Sequence, residues 1–341
     1  MKVLVTGGCG FIGSNLADFM LSRGDEVTVL DNLSRSGVKH NLEWLKGRHR
    51  KSFRFVRGDV RKDQEKLDGA VEGADAVYHT AAQVAVTTSV SDPRMDFEVN
   101  LLGTLNVLEA IRKSGGNPVL VFTSTNKVYG EMNDFPIEEA DGRYDYKSLK
   151  TGNPESTPLD FHSPYGCSKG GADQYVRDYA RIYGMKNVVF RMSCIYGTRQ
   201  FGCVDQGWVA YFIISSILGR KLTIFGDGKQ ARDVLYIDDL VKAFDLATKN
   251  ASKTAGQVYN IGGGPQNVMS LRELISLIEE LSGKKLDYSF DKWRPGDQRI
   301  YYSDARKAKR DFSWTPSVSK RDGVTLLYEW IRENRKLFTE L

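Results

Sequence analysis

Tyr165 and Lys169 stand four residues apart in the run Ser163-Pro164-Tyr165-Gly166-Cys167-Ser168-Lys169. Pro164 suits the first turn of a helix, and Gly170 to Tyr183 reads as its continuation. Positions i and i+4 share a helix face, so the phenol and the ammonium are expected to point into one space. A fixed positive charge favours phenolate over phenol and lowers the tyrosine pKa from about 10. A tyrosine tuned in this way takes a proton from a sugar or alcohol hydroxyl near neutral pH. The spacing alone is common on solvated helix faces. It gains chemical meaning where a hydride acceptor is bound nearby.

The N-terminus has the pattern of a site for such an acceptor. Lys2 to Thr6 reads as a short buried strand that runs into Gly7-Gly8-Cys9-Gly10-Phe11-Ile12-Gly13 and then an apolar-periodic helix through Leu16, Phe19, Met20 and Leu21. Glycine permits a tight turn, close approach of backbone to a pyrophosphate, and close packing of helix on strand. The helix N-terminus adds N–H groups and a positive dipole end. The spacing is G-x-x-G-x-x-G (Gly7, Gly10, Gly13), distinct from the standard G-x-G-x-x-G fingerprint. A second apolar strand from Glu26 ends at Asp31, an acid placed to accept from both adenosine ribose hydroxyls and to repel a 2′-phosphate. That favours NAD over NADP, while Arg35 nearby argues the other way.

The elements that must position these groups repeat the strand–helix alternation. Strands are expected at 53–57, 75–79, 118–123 and 187–191, and helices at 62–70, 93–114 and 164–184. The fold class is α/β: a Rossmann doubly wound parallel sheet with a smaller mixed α/β substrate-binding lobe. Residues 1–192 with 236–263 are expected to form the dinucleotide domain, and 193–235 with 264–341 the lobe. Trp293, Trp314 and Trp330 are expected to pack the lobe, and the polar tail from Glu333 to Leu341 to fray. Segments at strand ends (Gly58-Asp59-Val60, Thr80-Ala81-Ala82-Gln83 and Ser124-Thr125) offer small residues beside a flat cofactor, with Asp59 placed for the adenine amino group.

Composition sets the bounds. The 341 residues are 41% hydrophobic and 27% charged, as in a soluble globular protein. Cys9, Cys167, Cys194 and Cys203 lack C-x-x-C spacing, so neither a metal site nor a disulfide framework is suggested. Reduced thiols and the absence of a leader before the first strand fit a cytoplasmic location. The apolar run from Trp208 to Leu218 is too short to span a bilayer. Net charge is +5, with bases interspersed among acids, so no nucleic-acid or membrane partner is implied.

Taken together, these motifs resemble those of the extended short-chain dehydrogenase/reductases of the sugar-nucleotide epimerase and dehydratase family. The resemblance runs through the glycine triplet, Asp31, Asp59, Ala81-Ala82, Asn100-x-x-Gly103-Thr104, Ser124-Thr125-x-x-Val128-Tyr129-Gly130, Tyr165-x-x-x-Lys169, Arg191, Tyr196-Gly197 and Gly226-x-Gly228-x-x-x-Arg232-Asp233. It implies a bound NAD that takes a hydride from a nucleotide-sugar, with Tyr165 as base, Lys169 on the nicotinamide ribose and Thr125 on the hydroxyl being oxidised. The cofactor set it implies is Gly7, Gly10, Phe11, Ile12, Gly13, Asp31, Asn32, Ser34, Arg35, Asp59, Val60, Ala81, Ala82, Gln83, Asn100, Thr123, Ser124, Tyr165 and Lys169. For substrate it implies Thr125, Asn126, His162, Ser193, Gln206, Arg232 and Arg299, the two arginines anchoring diphosphate. It also implies a homodimer or homotetramer through the 93–114 and 164–184 helices.

Departures from the general pattern narrow the choice. Dehydratases of the family carry two acids after the threonine, where this chain has Asn126 and Lys127. General 4-epimerases tend to carry asparagine at the place of Ser193. The runs 124–130, 159–170, 200–201 with 205–209, 228–235 and 297–299 resemble most closely the members that invert C2 of a CDP-hexose of the paratose and tyvelose type, through a 2-keto sugar and hydride return to the opposite face. Three alternatives stay open: a UDP-glucose or galactose-type 4-epimerase, a dehydratase or decarboxylase, and a catalytically silent NAD-binding interaction protein.

Overall fold

A computed structural model describes residues 1–294 and 297–339. The first half alternates as expected: β1 (Lys2–Thr6), α1 (Phe11–Ser22), β2 (Glu26–Asp31), α2 (Val38–Arg48), β3 (Phe53–Arg57), α3 (Gln64–Val71) and β4 (Ala76–His79). Then come α4 (Val86–Ser91), α5 (Pro93–Phe97), a π-helical turn (Glu98–Leu102), α6 (Gly103–Lys113), β5 (Val119–Thr125) and a 3-10 turn (Asn126–Tyr129). A hairpin of β6 (Ile137–Ala140) and β7 (Arg143–Tyr146) precedes α7 (Ser163–Tyr183), β8 (Asn187–Met192) and β9 (Cys194–Tyr196). The remainder comprises α8 (Trp208–Leu218), β10 (Leu222–Phe225), β11 (Ala231–Tyr236), α9 (Ile237–Lys249), α10 (Ala251–Thr254) and β12 (Val258–Ile261). After these follow β13 (Val268–Ser270), α11 (Leu271–Ser282), β14 (Tyr288–Asp291), β15 (Ile300–Tyr301), α12 (Arg306–Phe312), α13 (Lys320–Glu333) and α14 (Lys336–Thr339).

Among the described residues, seven strands form one parallel sheet in the order β12-β8-β5-β4-β1-β2-β3. Alternate side chains bury on opposite faces, which is why the interior strands β1, β4, β5 and β8 are mostly apolar runs, whereas the edge strand β3 carries Arg54 and Arg57. Val3, Val5, Val27, Val29, Val121 and Phe190 pack under α1, α2 and α9. Leu4, Leu30, Leu120, Phe122 and Val189 pack under α3, α6 and α7. The chain reverses its winding between β1 and β4, so the loops after these two strands open a crevice at their carboxyl ends.

The other strands form smaller sheets: β10 with β14, and β9, β13 and β15 around β11. Strand β11 thereby bridges the sheet-side β9 and the outer β15. Trp314 is buried and Trp330 half-buried, but Trp293 lies against Gly226 and remains 38% exposed, so it rims the lobe without packing its core. Among the described residues no helix is long and apolar enough to cross a membrane.

The expected 93–114 helix is interrupted. The π-helical turn inserts an extra residue at Asn100 and re-aims its side chain. The tail also departs from expectation: α13 and α14 continue to Thr339, and Phe338 is wholly buried against Phe201 and Trp330. Its polar neighbours hid one apolar anchor, held between Trp330 of α13 and Phe201 of a distant loop. Glu340 and Leu341 lie outside the described residues. Phe338→Ala should cost about 3 kcal/mol in urea unfolding, as for a buried phenylalanine; a loss under about 0.5 kcal/mol would mean the tail is not docked.

Candidate active site

The turn after β1 is pressed against the loop after β4. Gly7 has φ +68°, and a Cβ there would lie 2.6 Å from the Ala81 backbone. The Gly10 N–H donates to the Gly7 carbonyl at 3.0 Å, and α1 begins at once with Phe11. A Cβ on Gly13 would be 2.6 Å from the Gly8 Cα, so helix and turn are in contact. The first N–H groups of α1, at Phe11, Ile12 and Gly13, are those a helix leaves without intrahelical partners. They face a crevice wide enough only because three glycines withhold their side chains, which is the cradle a pyrophosphate requires.

Asp31 closes this cradle at the end of β2. Its carboxylate accepts from the Cys9 N–H at 2.9 Å and the Leu33 N–H at 2.8 Å. Burial raises its pKa, and the backbone donors oppose that. Asn32 donates to Asp59 at 3.0 Å, and Arg61 chelates the same Asp59 carboxylate, which holds its pKa well below the usual range. Asp59 is therefore already saturated by protein donors. Val60 is buried beside it, whereas Ser34 and Arg35 are exposed. Arg35 reaches across to Gln206 of the outer lobe.

The catalytic candidates meet at the end of β5. Tyr165 and Lys169 both sit in the first turns of α7 and are buried, and the Thr125 hydroxyl acts on the Tyr165 phenol from the end of β5, favouring its charged form. The expected depression of the phenol does not arise from the protein groups. Burial pushes the Tyr165 pKa up to about 12, against the opposing effect of the Thr125 hydroxyl, and pushes Lys169 down to about 7. The Lys169 ammonium lies 4.2 Å from the Phe122 ring centroid, a cation–π contact that leaves the phenol to Thr125. His79 behaves as a packing residue: its ring bonds Thr6 at 2.6 Å and Thr104 at 3.1 Å.

The substrate candidates divide into two groups. Asn126 donates to Gln298 at 3.4 Å, and Gln298 in turn donates to the Gly130 carbonyl. Arg232 donates to Asp297 at 3.0 Å and to the Gln298 carbonyl at 2.6 Å, which fixes its fork near Lys127. Arg299 is exposed and stacks 5.3 Å from Tyr144 and 5.8 Å from Trp293. The remaining residues are turned to other partners. Ser193 donates to the buried Asp233, and His162 pairs with Asp160 at 2.8 Å on the surface. Cys194 accepts from the Trp208 indole, and burial raises its pKa to about 12, so it is no nucleophile. Among the described residues no cluster of three His, Cys, Asp or Glu side chains could hold a metal.

A family model described as GDP-mannose 4,6 dehydratase matches residues 4–327. The chain is 46% identical over 336 residues to CDP-paratose 2-epimerase of Salmonella typhi, covering 97% of this chain and 99% of that protein. The chain belongs to the extended short-chain dehydrogenase/reductase family of sugar-nucleotide epimerases and dehydratases. Among solved structures, UDP-glucose 4-epimerase of Thermotoga maritima with UDP-glucose superimposes with a TM-score of 0.84 at 33% identity, covering 98% of this chain and all of that one. The dTDP-glucose 4,6-dehydratase DesIV of Streptomyces venezuelae with NAD bound gives 0.83 at 31%, covering 98% of each. The family uses NAD, and the glycine cradle with Asp31 fits it.

Two buried networks brace this family's catalytic groups here, and sequence reasoning missed their key acids. Asp96 is wholly buried and accepts from Gln83 at 2.8 Å, Asn100 at 3.0 Å and Ser168. Asn100 also accepts from the Gln83 N–H, so the π-turn ties the cofactor loop to α7. The second acid, Asp173, accepts from Ser124 at 2.9 Å and chelates Arg191. Thr123 donates to the His79 carbonyl at 2.9 Å. A buried carboxylate inside a helical pattern was the only available signal for Asp96 and Asp173.

The Asp96 charge raises the pKa of both Tyr165 and Lys169. Neutralising it lowers both, so Asp96→Asn should move the pH profile of kcat/KM to lower pH and reduce its maximum about tenfold. A reduced maximum on an unmoved profile would leave Asp96 a purely structural role.

Proposed function

We propose that this protein is an NAD-dependent isomerase that inverts C2 of a CDP-hexose of the paratose and tyvelose type. The observation that carries this reading is that buried Tyr165 and Thr125 converge at the end of β5, with Asn126 and Lys127 directly after the threonine. The pair can hold and deprotonate a sugar hydroxyl, and the next two positions offer no carboxylate to eliminate water. The 46% identity to CDP-paratose 2-epimerase supports CDP and C2 in particular. We divide the chain into a cofactor domain of residues 1–192 with 236–263 and a substrate lobe of 193–235 with 264–341, which the membership of β12 in the large sheet supports.

In this reading Thr125 aligns the C2 hydroxyl and Tyr165 takes its proton as the carbinol becomes a 2-keto sugar. NAD, when bound, accepts the hydride and gives it back. Lys169 orients the cofactor ribose from the same helix face. Arg232, held by Asp297, and Arg299, free to swing over Tyr144, grip the diphosphate while the sugar turns. Tyr165 then returns the proton to the oxygen of the inverted carbinol. Lys127, lowered to about 8 by burial and by the charge of Arg232, adds positive potential to the same region. We assign the protein to the cytoplasm as a homodimer or homotetramer. Exposed Val90, Phe97, Tyr175, Ile182 and Tyr183 on the adjacent helices α4, α5 and α7 support the association.

Side-by-side assays should give turnover with a CDP-hexose and little with UDP-galactose; the reverse preference would move the reading to C4. In deuterium oxide the inverted sugar should keep its own C2 hydrogen, and deuterium at C2 would exclude internal hydride return. Tyr165→Phe should lower kcat by about 10²–10⁴-fold while the purified protein keeps its NAD, the loss expected on removing a general base.

A further inference from the structure

A second cleft, of about 810 Å³, lies at the β12 edge of the central sheet, between the 154–159 segment, α7 and α12. It shares no lining residue with the catalytic candidates Thr125, Tyr165 and Lys169 or with Arg232 and Arg299. Its size is that of a small-molecule site. Four cations line its walls: Arg177 from α7, and Arg306, Lys307 and Arg310 from α12. The opposing acids are Glu155 and Asp304, and Pro154, Pro158, Leu159 and Val258 give an apolar side.

The partners of these cations separate structural charge from available charge. Arg306 is chelated by Asp304, and Arg310 bonds Asp311 at 2.8 Å. Lys307 instead donates to neutral oxygens, Gln257 Oε1 at 2.9 Å and the Val258 carbonyl at 2.7 Å, over the Tyr259 ring. Arg177 donates to Gln174 Oε1 at 3.0 Å. Glu155 is turned inward, where one oxygen accepts the Asn260 N–H of the edge strand at 2.8 Å. Burial lowers the pKa of Lys307 and of Arg177; on Lys307 the charges of Glu155 and Asp311 oppose this, and those of Arg310 and Arg177 add to it. Cations from two separate elements thus converge on one half-buried space, at a cost that a multivalent anion would relieve.

We propose that this cleft is a second binding site, for an oligophosphate anion. The phosphates would lie between Lys307 and Arg177, and Arg310, whose exposed pair with Asp311 costs little to open, would add its guanidinium fork. The site goes beyond the proposed epimerase reaction and does not depend on it. Its floor is Arg191, which through Asp173 is bonded to Ser124, so an occupant would contact the outer end of the brace behind the catalytic strand.

The test is calorimetric titration of NAD-loaded protein kept saturated with CDP, which occupies the substrate side. ATP, CTP and inorganic pyrophosphate are titrated separately. At least one should bind with a stoichiometry near one per chain. Lys307→Gln and Arg310→Gln should each weaken it about tenfold, and the double variant more, as expected for lost charge-assisted hydrogen bonds. Tighter binding of a nucleotide assigns the site to phosphate carried on an organic body, and equal binding of pyrophosphate assigns it to the free anion. Arg310 is exposed, so its variant tests the site even if Lys307→Gln unfolds, which retained NAD and an unchanged melting temperature would exclude. No binding by any of the three probes, or binding unchanged in Arg310→Gln and in the double variant, overturns the proposal.

Discussion

The buried ion pair between Asp173 and Arg191 fixes the helix that carries the chemistry. Both side chains are essentially inaccessible, at 0% and 3% exposure, and the contact is bidentate. Such a pair costs desolvation, which further hydrogen bonds to the two groups help to offset. Here Ser124 and Gln174 donate to Asp173, and Arg191 donates to Tyr129, whose hydroxyl donates to Asn260. The pair therefore joins α7, β5, β8 and β12 at one point. Tyr165 and Lys169 lie two turns and one turn earlier on the same helix, and Thr125 is the next residue of the same strand. Their separation follows from where Asp173 is anchored.

Burial of that assembly creates an electrostatic tension. A phenol and an ammonium removed from water are both pushed toward neutrality, so Tyr165 rises while Lys169 falls. The protein counters this with the Thr125 hydroxyl on one side and the Asp96 and Asp173 carboxylates on the other. Asp96 is itself buried and its pKa is raised, which makes it a sensitive element of the site. The same charge that keeps Lys169 protonated also disfavours the phenolate. The working balance is thus set by the whole cluster and not by the Tyr–Lys spacing alone.

The outer lobe is joined to the sheet by a comparable buried acid. Asp233, on β11, accepts from Ser193, the Gly264 N–H and the Ser303 N–H, and burial raises its pKa to about 6. It ties β11 to three other chain segments, those that follow β8, β12 and β15. Ser193 is spent on this junction. On the substrate side, Arg232 is immobilised by Asp297, while Arg299 rests on two aromatic rings.

Local signals determined the parallel sheet, its crossover helices and the glycine cradle. Strand periodicity, glycine spacing and a terminal acid are properties of a few consecutive residues, and the apolar runs of the interior strands announced burial on both sides. The Tyr165–Lys169 pair was legible for the same reason, since helix geometry alone aligns i with i+4. Asp96 and Asp173 were not legible. Their roles rest on contacts with Ser168, 72 residues from Asp96, and with Ser124, 49 residues from Asp173. Nor could sequence give the sign of the Tyr165 shift, because desolvation depends on everything packed around a group. The π-turn at Asn100, the docking of Phe338 and the convergence of Arg177 with Lys307 are likewise tertiary. In each, a residue of ordinary local pattern acquires its meaning from a partner that only the folded chain brings near.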